Sequence, residues 1–175
     1  ELHQKMVDAG IYDITIPEEY GGAGFDFVTG TMAIHELAKG SASAALILDC
    51  FGFGCDILIR YGTEEQKKKY LVPLAKGEKI GAFGLTEPNA GTDAGNQQTT
   101  AVELDDCYLL NGSKIFITNA PKADTYVVFA VTTPDIGTRG ISAFIVEKGW
   151  EGFTFGKHEK KMGIRGSATC ELIFE

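Results

Sequence analysis

The sequence lacks several features that would at once define its class. No apolar run approaches the roughly 20 residues that cross a bilayer, so we expect no membrane span. Lys and Arg number 16 against 24 Asp and Glu, a net charge of −8 that is unlike the basic surface of a nucleic-acid-binding protein. No basic and apolar leader opens the chain. These absences predict a cytoplasmic globular protein that binds no nucleic acid.

Metal-site and disulfide patterns are also missing. The four cysteines are scattered: Cys50, Cys55, Cys107 and Cys170. They form no C-x-x-C pair, and no histidine stands at metal-ligand spacing, so we expect reduced thiols and no metal. The three histidines are far apart in the sequence: His3, His35 and His158. We therefore interpret them as surface or helix-face residues rather than catalytic bases.

The glycine-rich nucleotide loops are absent or incomplete. No Walker loop occurs. Gly22 and Gly24 resemble the start of a Rossmann loop, but Phe27 stands where the third glycine belongs and no β-run precedes the loop. Nucleophile-elbow and H-E-x-x-H patterns are missing as well. The common routes to nucleotide binding and hydrolysis are therefore not indicated.

What is present is a change of hydrophobic period near the middle of the chain. Residues 1–77 show helical spacing, and residues 78–175 show short β-rich runs. Helices are predicted over 1–10, 25–38 and 44–61, and a fourth after the capping box of Thr63 and Gln66. We expect an α+β protein, with an N-terminal α-helical domain (1–77) followed by a small antiparallel β-barrel or sandwich domain (78–175).

Seven strands are predicted in the second domain, over 80–86, 97–104, 107–110, 113–119, 125–133, 141–147 and 170–174. Asp105-Asp106 and Asn111-Gly112 fall where hairpin turns are expected.

Two stretches in this domain carry more polar chemistry than turns require. The loop in "GAFGLTEPNAGTDAG" (81–95) combines hydroxyls with glycines that let backbone N–H groups approach an anion. In "NGSKIFITNA" (111–120), Phe116 could stack on a flat ligand beside the hydroxyl of Thr118. Together they suggest a flavin nucleotide. A decorated hairpin loop and a core position for Phe116 are the alternative interpretations.

Five ordered blocks of sequence resemble the acyl-CoA dehydrogenase family, most strongly its short-chain, butyryl-CoA bacterial type. They are "IPEEYGGAG" (16–24), "YGTEEQKKKYLVPLAKGEKIGAFGLTEPNAGTD" (61–93), "LNGSKIFITNA" (110–120), "GISAFIVEKG" (140–149) and "KKMGIRGSATCELIFE" (160–175). The resemblance implies the family's N-terminal helical and middle β-domains, truncated at the start and without the C-terminal helical bundle. We interpret both ends as cuts in a longer chain.

The resemblance also implies a reaction, α,β-desaturation of an acyl-CoA with hydride transfer to N5 of FAD. In the family the glutamate base lies in the C-terminal domain, so no catalytic residue is expected among these 175. We expect this part of the chain alone not to turn over. The implied partners are an acyl-CoA, electron-transferring flavoprotein and identical subunits of a homotetramer.

The site residues follow from the same resemblance. Leu85 and Thr86 would meet the flavin pyrimidine, Thr92 the pyrophosphate, and Phe116, Ile117 and Thr118 the isoalloxazine, with Phe83 on the same wall. The substrate would meet Leu46, Asp49 and Phe53 at the acyl tail, and Thr138 and Arg139 near the CoA phosphate, with Thr92 assigned to both ligands. Bulky side chains at 46 and 53 would favour a short acyl chain.

Two departures from the family pattern and two alternatives accompany this interpretation. Phe116 stands where many relatives have tryptophan, and Asn96 where a small residue is usual. An acyl-CoA oxidase or a hydroxylating relative would share these motifs. A non-catalytic scaffold that retains the fold would share them too, and the downstream sequence would distinguish it.

Overall fold

The computed structural model describes residues 2–175 and divides into two compact units. The helical unit runs from the N-terminus to Gly81 and also includes Lys160–Ser167. The β unit consists of Ala82–Glu159 and Ala168–Glu175.

The helical unit contains four α-helices, counted over the described residues. They are α1 (Leu2–Asp8), α2 (Phe27–Gly40), α3 (Ala42–Tyr61) and α4 (Glu64–Ala75). Side-chain caps fix where three of them begin, because the first N–H groups of a helix have no partner within it. The Asp26 carboxylate accepts from the Thr29 N–H at 2.8 Å, and the Ser41 hydroxyl accepts from the Ala44 N–H at 3.3 Å. The predicted capping box at Thr63 opens α4.

Helix α3 corrects the expectation that no apolar segment reaches membrane-spanning length. The helix has 20 residues and contains an 18-residue window with a mean hydropathy of 1.8, which is enough to cross a membrane by length and composition alone. One such helix is weak evidence, because the core helix of a globular unit passes the same test. Here Leu48, Phe51 and Leu58 of α3 are buried, and the Phe51 ring packs 4.3 Å from that of Tyr12.

Seven strands form one curled, half-barrel sheet in the β unit, counted over the described residues. They are β1 (Gly81–Gly84), β2 (Thr100–Glu103), β3 (Tyr108–Thr118), β4 (Thr125–Val131), β5 (Ile141–Glu147), β6 (Phe153–His158) and β7 (Thr169–Phe174). The order is β1-β4-β2-β3-β7-β6, with β5 beside β4. Pairing between β2 and β4 is parallel at Thr100 and Val131, whereas the β2–β3, β3–β7, β4–β5 and β6–β7 pairs are antiparallel.

The predicted hairpin at Asn111-Gly112 is wrong, because β3 runs through it as one strand. Asn111 pairs with Thr100 of β2, and Gly112 pairs with Phe174 of β7. A Cβ built on Gly112 would lie 2.7 Å from the Thr99 Cα, so the glycine is required by close backbone approach and not by a turn. The predicted turn at residues 105–106 does form, since the Leu104 N–H donates to the Cys107 carbonyl at 2.9 Å.

Strand β6 was not predicted from the sequence. Its sequence "FTFGKH" contains a glycine and ends in charged and polar residues, which hide the alternation typical of a strand. A Cβ built on Gly156 would meet the Glu171 side chain of β7, with the Glu171 Cβ 3.0 Å away.

The core of the β unit is built from the inward side chains of the sheet. Tyr126, Val128 and Leu172 have no exposed surface. The Tyr126 hydroxyl lies 2.7 Å from the Ala120 carbonyl and 2.8 Å from that of Ala123, which holds the turn after β3. Burial raises the pKa of this phenol above its ordinary value.

Candidate functional site

The loop that follows β1 is tied directly to β3. The Ile115 N–H donates to the Thr86 carbonyl at 2.8 Å. Leu85 and Thr86 are half-buried, and they therefore lie beside the part of β3 that carries Phe116 and Thr118. The structure thus brings together two of the predicted cofactor stretches, which are separated by about 30 residues in sequence.

A β-bulge presents the Phe116 ring to solvent. The register between β3 and β7 shifts between Lys114 and Ile117, and Phe116 between them has a left-handed backbone with a φ of 59°. Bulges of this kind redirect one side chain while the strand continues. The Phe116 side chain is 60% exposed, whereas Ile117 is 2% exposed and paired with Cys170. Phe116 is therefore not a core residue, and Ile117 is.

A buried ion pair that the sequence reasoning missed anchors this loop. The Lys114 ammonium has no exposed surface and donates to the Glu87 carboxylate at 2.6 Å. Burial opposes ionisation of Glu87, but hydrogen bonds from Lys114, Thr99 and Gln98 outweigh it and hold the pKa of the carboxyl below its ordinary value. For Lys114, burial lowers the pKa and the contact with Glu87 offsets part of that change. The sequence offered one sign of this ion pair: an acid, Glu87, lies in the first polar stretch and a lysine, Lys114, in the second.

The ion pair continues into the far end of the loop. Lys114 also donates to the Gln97 side-chain oxygen at 2.7 Å, and the Gln97 amide donates to the Ala94 carbonyl at 3.0 Å. The backbone N–H groups of Gln98 and Thr99 donate to Glu87 at 2.6 and 3.1 Å. The loop is consequently held from inside along most of its length.

The outer part of this loop lies beside the second predicted ligand segment of the β unit. A Cβ built on Gly95 would be 3.1 Å from the Thr138 Cγ2, in the 3₁₀ turn Gly137–Gly140. Thr92, Thr138 and Arg139 are all exposed. The predicted pyrophosphate-binding and CoA-binding residues therefore lie on neighbouring loops of one unit.

The predicted acyl-tail residues lie in the helical unit, on one face of α3. Leu46, Asp49 and Phe53 are three and four residues apart, the spacing that aligns side chains on a helix. Leu46 and Asp49 are half-buried and Phe53 is 49% exposed, in contrast to the buried positions on α3. Burial raises the pKa of Asp49 above its ordinary value.

The β-unit residues fit the chemistry of a flavin nucleotide. Such a group is flat, has hydrogen-bonding ring edges and carries an anionic pyrophosphate. An exposed aromatic ring at Phe116, hydroxyls at Thr86, Thr92 and Thr118, and loop N–H groups near Thr86 match these three properties. No group of three His, Cys, Asp or Glu residues able to hold a metal ion occurs within residues 2–175.

The fold is thus an α-helical unit followed by a β unit that carries an anchored, polar loop and an exposed aromatic ring. Comparison with known families specifies the class of protein. Residues 1–78 match the acyl-CoA dehydrogenase N-terminal domain, and residues 82–175 match the acyl-CoA dehydrogenase middle domain. The chain belongs to the acyl-CoA dehydrogenase family.

One relative illustrates how far the similarity extends. The short-chain-specific acyl-CoA dehydrogenase of Clostridium acetobutylicum is 58% identical over 173 residues, which is 98% of this chain and 46% of the relative. The chain therefore spans about half the length of the curated relatives it matches.

The backbone also superposes on solved structures over almost the whole chain. Butyryl-CoA dehydrogenase from Megasphaera elsdenii superposes with a TM-score of 0.92 at 50% identity, over 99% of this chain and 46% of that one. A chain in the structure of the electron-transferring flavoprotein of Acidaminococcus fermentans superposes with a TM-score of 0.95 at 56% identity. The match covers 99% of this chain and 46% of that one. Acyl-CoA dehydrogenase of Bacillus anthracis complexed with FAD superposes with a TM-score of 0.89 at 39% identity. The match covers 99% of this chain and 30% of that one.

Proposed function

We propose that the chain is the N-terminal and middle part of a FAD-dependent acyl-CoA dehydrogenase that desaturates a short-chain acyl-CoA between its α and β carbons. The observation that carries the proposal is the exposed, left-handed Phe116 beside a loop fixed by a buried ion pair. An exposed ring held in a strained conformation is best explained by a ligand that covers it.

The cofactor would be held by residues of the β unit. Phe116 offers its ring to the flavin plane, and the Thr118 hydroxyl beside it offers a hydrogen bond. The N–H groups near Leu85 and the Thr86 hydroxyl suit the polar edge of the pyrimidine, and Thr92 suits the pyrophosphate. When bound, FAD supplies the acceptor for a hydride from the substrate β carbon.

The substrate residues are proposed by resemblance to the family. Leu46 and Phe53 on α3 supply bulk where the acyl tail is expected, which supports a short chain. The relative from Clostridium acetobutylicum is named as short-chain specific, in agreement with this choice. Thr138 and Arg139 supply a hydroxyl and a positive charge suited to a phosphate of CoA.

Glu87, the buried acid of the loop after β1, is not a candidate for removing the substrate α-proton. Glu87 is 4% exposed, and its carboxylate accepts hydrogen bonds from Lys114, Gln98 and Thr99. A carboxylate engaged in this way is a poor general base, because the hydrogen bonds favour its charged form and occupy its lone pairs. This agrees with the family expectation of a glutamate elsewhere in the whole protein.

Partners and location complete the proposal. Electron-transferring flavoprotein would accept the electrons, as suggested by the similarity to a chain in a structure of that name. We further propose a homotetramer in the cytoplasm, by resemblance to the family and its bacterial relatives.

The decisive experiment is an anaerobic titration of the whole purified protein with butyryl-CoA, followed by its visible spectrum. A yellow flavin band that bleaches on addition supports the cofactor and the half-reaction together. A band that does not bleach refutes the short-chain substrate, and a colourless protein after added FAD refutes the flavin site. Admission of air then separates dehydrogenase from oxidase, because only an oxidase should regain its colour rapidly with oxygen alone.

A pair of variants ties the titration to the site. Phe116→Ala should weaken FAD binding, since it removes the stacking surface. Val102→Ala is the matched control, because Val102 is 54% exposed on β2 and lies outside the cofactor stretches. FAD binding unchanged in both variants would contradict the assignment of Phe116.

A further inference from the structure

We propose that Lys114, together with Glu87 and Gln97, is a positioning device that sets the orientation of the cofactor-binding backbone at Thr86 without touching the cofactor. The inference rests on the proposed function, since it names how the same site is shaped. It assigns a role to a buried lysine that the reaction itself does not use.

The first step is the complete satisfaction of the lysine. Its ammonium has three N–H donors. They meet the Leu85 carbonyl at 3.2 Å, the Glu87 carboxylate at 2.6 Å and the Gln97 side-chain oxygen at 2.7 Å. With no exposed surface, this cation is fixed at one point relative to β3.

The second step follows from the planarity of the peptide bond. The Leu85 carbonyl and the Thr86 N–H belong to one trans peptide unit, and the chain contains no cis peptide bond among the described residues. In a trans unit the C=O and the N–H point in opposite directions. Because Lys114 draws the Leu85 carbonyl inward, the Thr86 N–H is directed away from the buried network.

The third step is the reach of the network along the loop. Glu87 fixes the N–H groups of residues 98 and 99, and Gln97 fixes the Ala94 carbonyl. The beginning, middle and end of the loop are thereby connected to the Lys114 ammonium through hydrogen bonds. A donor such as the Thr86 N–H is then held ready for a ring oxygen before any ligand arrives, which lowers the ordering cost of binding.

The fourth step is why an apolar pair would not serve equally well. A buried ion pair is weak evidence for stability, because well-packed apolar residues of similar volume are often as stable or more so. Apolar side chains, however, cannot hold a carbonyl and two amides in fixed directions. The network is therefore better explained by the geometry it imposes than by the stability it adds.

The test compares stability with FAD binding in the whole protein. Lys114→Met should lower the melting temperature of the apoprotein, because it leaves the Glu87 carboxylate buried and unpaired. The double variant Glu87→Gln, Lys114→Met leaves no buried charge and should regain most of that loss. Its FAD dissociation constant should nevertheless stay about tenfold higher than that of the unmodified protein, the change expected from one misaligned hydrogen bond. The visible flavin band should shift as well.

Two further variants keep the result interpretable. Gln97→Met retains the ion pair but loses two hydrogen bonds, so it should weaken FAD binding severalfold while lowering the melting temperature less than Lys114→Met does. If the other variants fail to fold, the FAD affinity of Gln97→Met alone tests whether the network positions the cofactor-binding backbone. Lys157→Met removes an exposed lysine of β6 and should change neither property.

The outcomes are distinct from those of the proposed function. If FAD affinity and the flavin spectrum recover together with stability in the double variant, or are unchanged in Gln97→Met, Lys114 is only structural and the proposal is overturned. If the unmodified protein itself binds no FAD, the proposed function fails instead.

Discussion

Replacing Phe116 by glycine and by alanine separates the folding role of this position from its binding role. Both substitutions remove the aromatic ring, but only glycine also relieves the left-handed backbone, whose φ is 59°. We therefore expect the two variants to differ in stability and to agree in their loss of FAD affinity.

The size of each effect follows from the exposed fraction of the side chain. Phe116 is 60% exposed, so less than half of the roughly 200 Å² of a phenylalanine is covered, or about 80 Å². At about 25 cal/mol per Å², losing the ring costs at most about 2 kcal/mol of folding free energy. Placing glycine at this left-handed position removes about 1–2 kcal/mol of conformational strain from the folded state. The greater freedom of glycine in the unfolded state lowers the free energy of unfolding by about 0.5–1 kcal/mol. The glycine variant should therefore be more stable than the alanine variant by about 0.5–1 kcal/mol.

The assay is urea unfolding of the apoproteins combined with FAD titration followed by fluorescence. FAD should bind both variants about tenfold more weakly than the unmodified protein, which corresponds to about 1.4 kcal/mol of lost stacking. Phe116→Trp keeps a stacking surface and should bind within about twofold of normal. An alanine variant more stable than the glycine variant would refute the backbone argument. Normal FAD affinity in both would refute the stacking role.

Three further predictions concern the framework around the site. Gly140→Ala should lower the melting temperature markedly, because a Cβ would lie 1.9 Å from the Thr133 carbonyl, whereas Gly91→Ala should be neutral since nothing lies within 4 Å of it. Tyr126→Phe should cost about 1–2 kcal/mol in denaturant unfolding, because it leaves buried carbonyls without their hydroxyl donor. The lowered pKa of Glu87 contributes stability that is present above the unfolded pKa of about 4.3 and is lost as the pH falls through the folded pKa. A scan of melting temperature from about pH 6 to 3 should therefore fall less steeply for Glu87→Gln, and parallel curves would contradict this.

Local sequence signals predicted the helical part of the fold well. The capping box at Thr63 correctly located the beginning of α4, because such a box depends on residues within one turn. The strands were harder to predict. Asn111-Gly112 has the composition of a turn, and only the neighbouring strands reveal that its glycine serves close packing against Thr99.

The site was predicted in its parts but not in its support. Phe116 and the loop from Leu85 to Thr92 were identified by composition and resemblance, and their roles toward a ligand stay predictions. Lys114 lies within one of these motifs, but no role was predicted for it, since a lysine in a strand is expected to face solvent. Its burial became evident only once the loop and β3 were in place.

By itself, the sequence determined the helical-then-β organisation, the family and the two stretches suited to a flavin, because periodicity, caps and ordered motifs are encoded over short distances. Only the tertiary structure decided that the Asn111-Gly112 pair lies inside a strand, that the bulge turns Phe116 outward, and that Glu87 meets Lys114 at 2.6 Å. These features depend on strand register and on contacts between residues 27 positions apart, which no local pattern specifies.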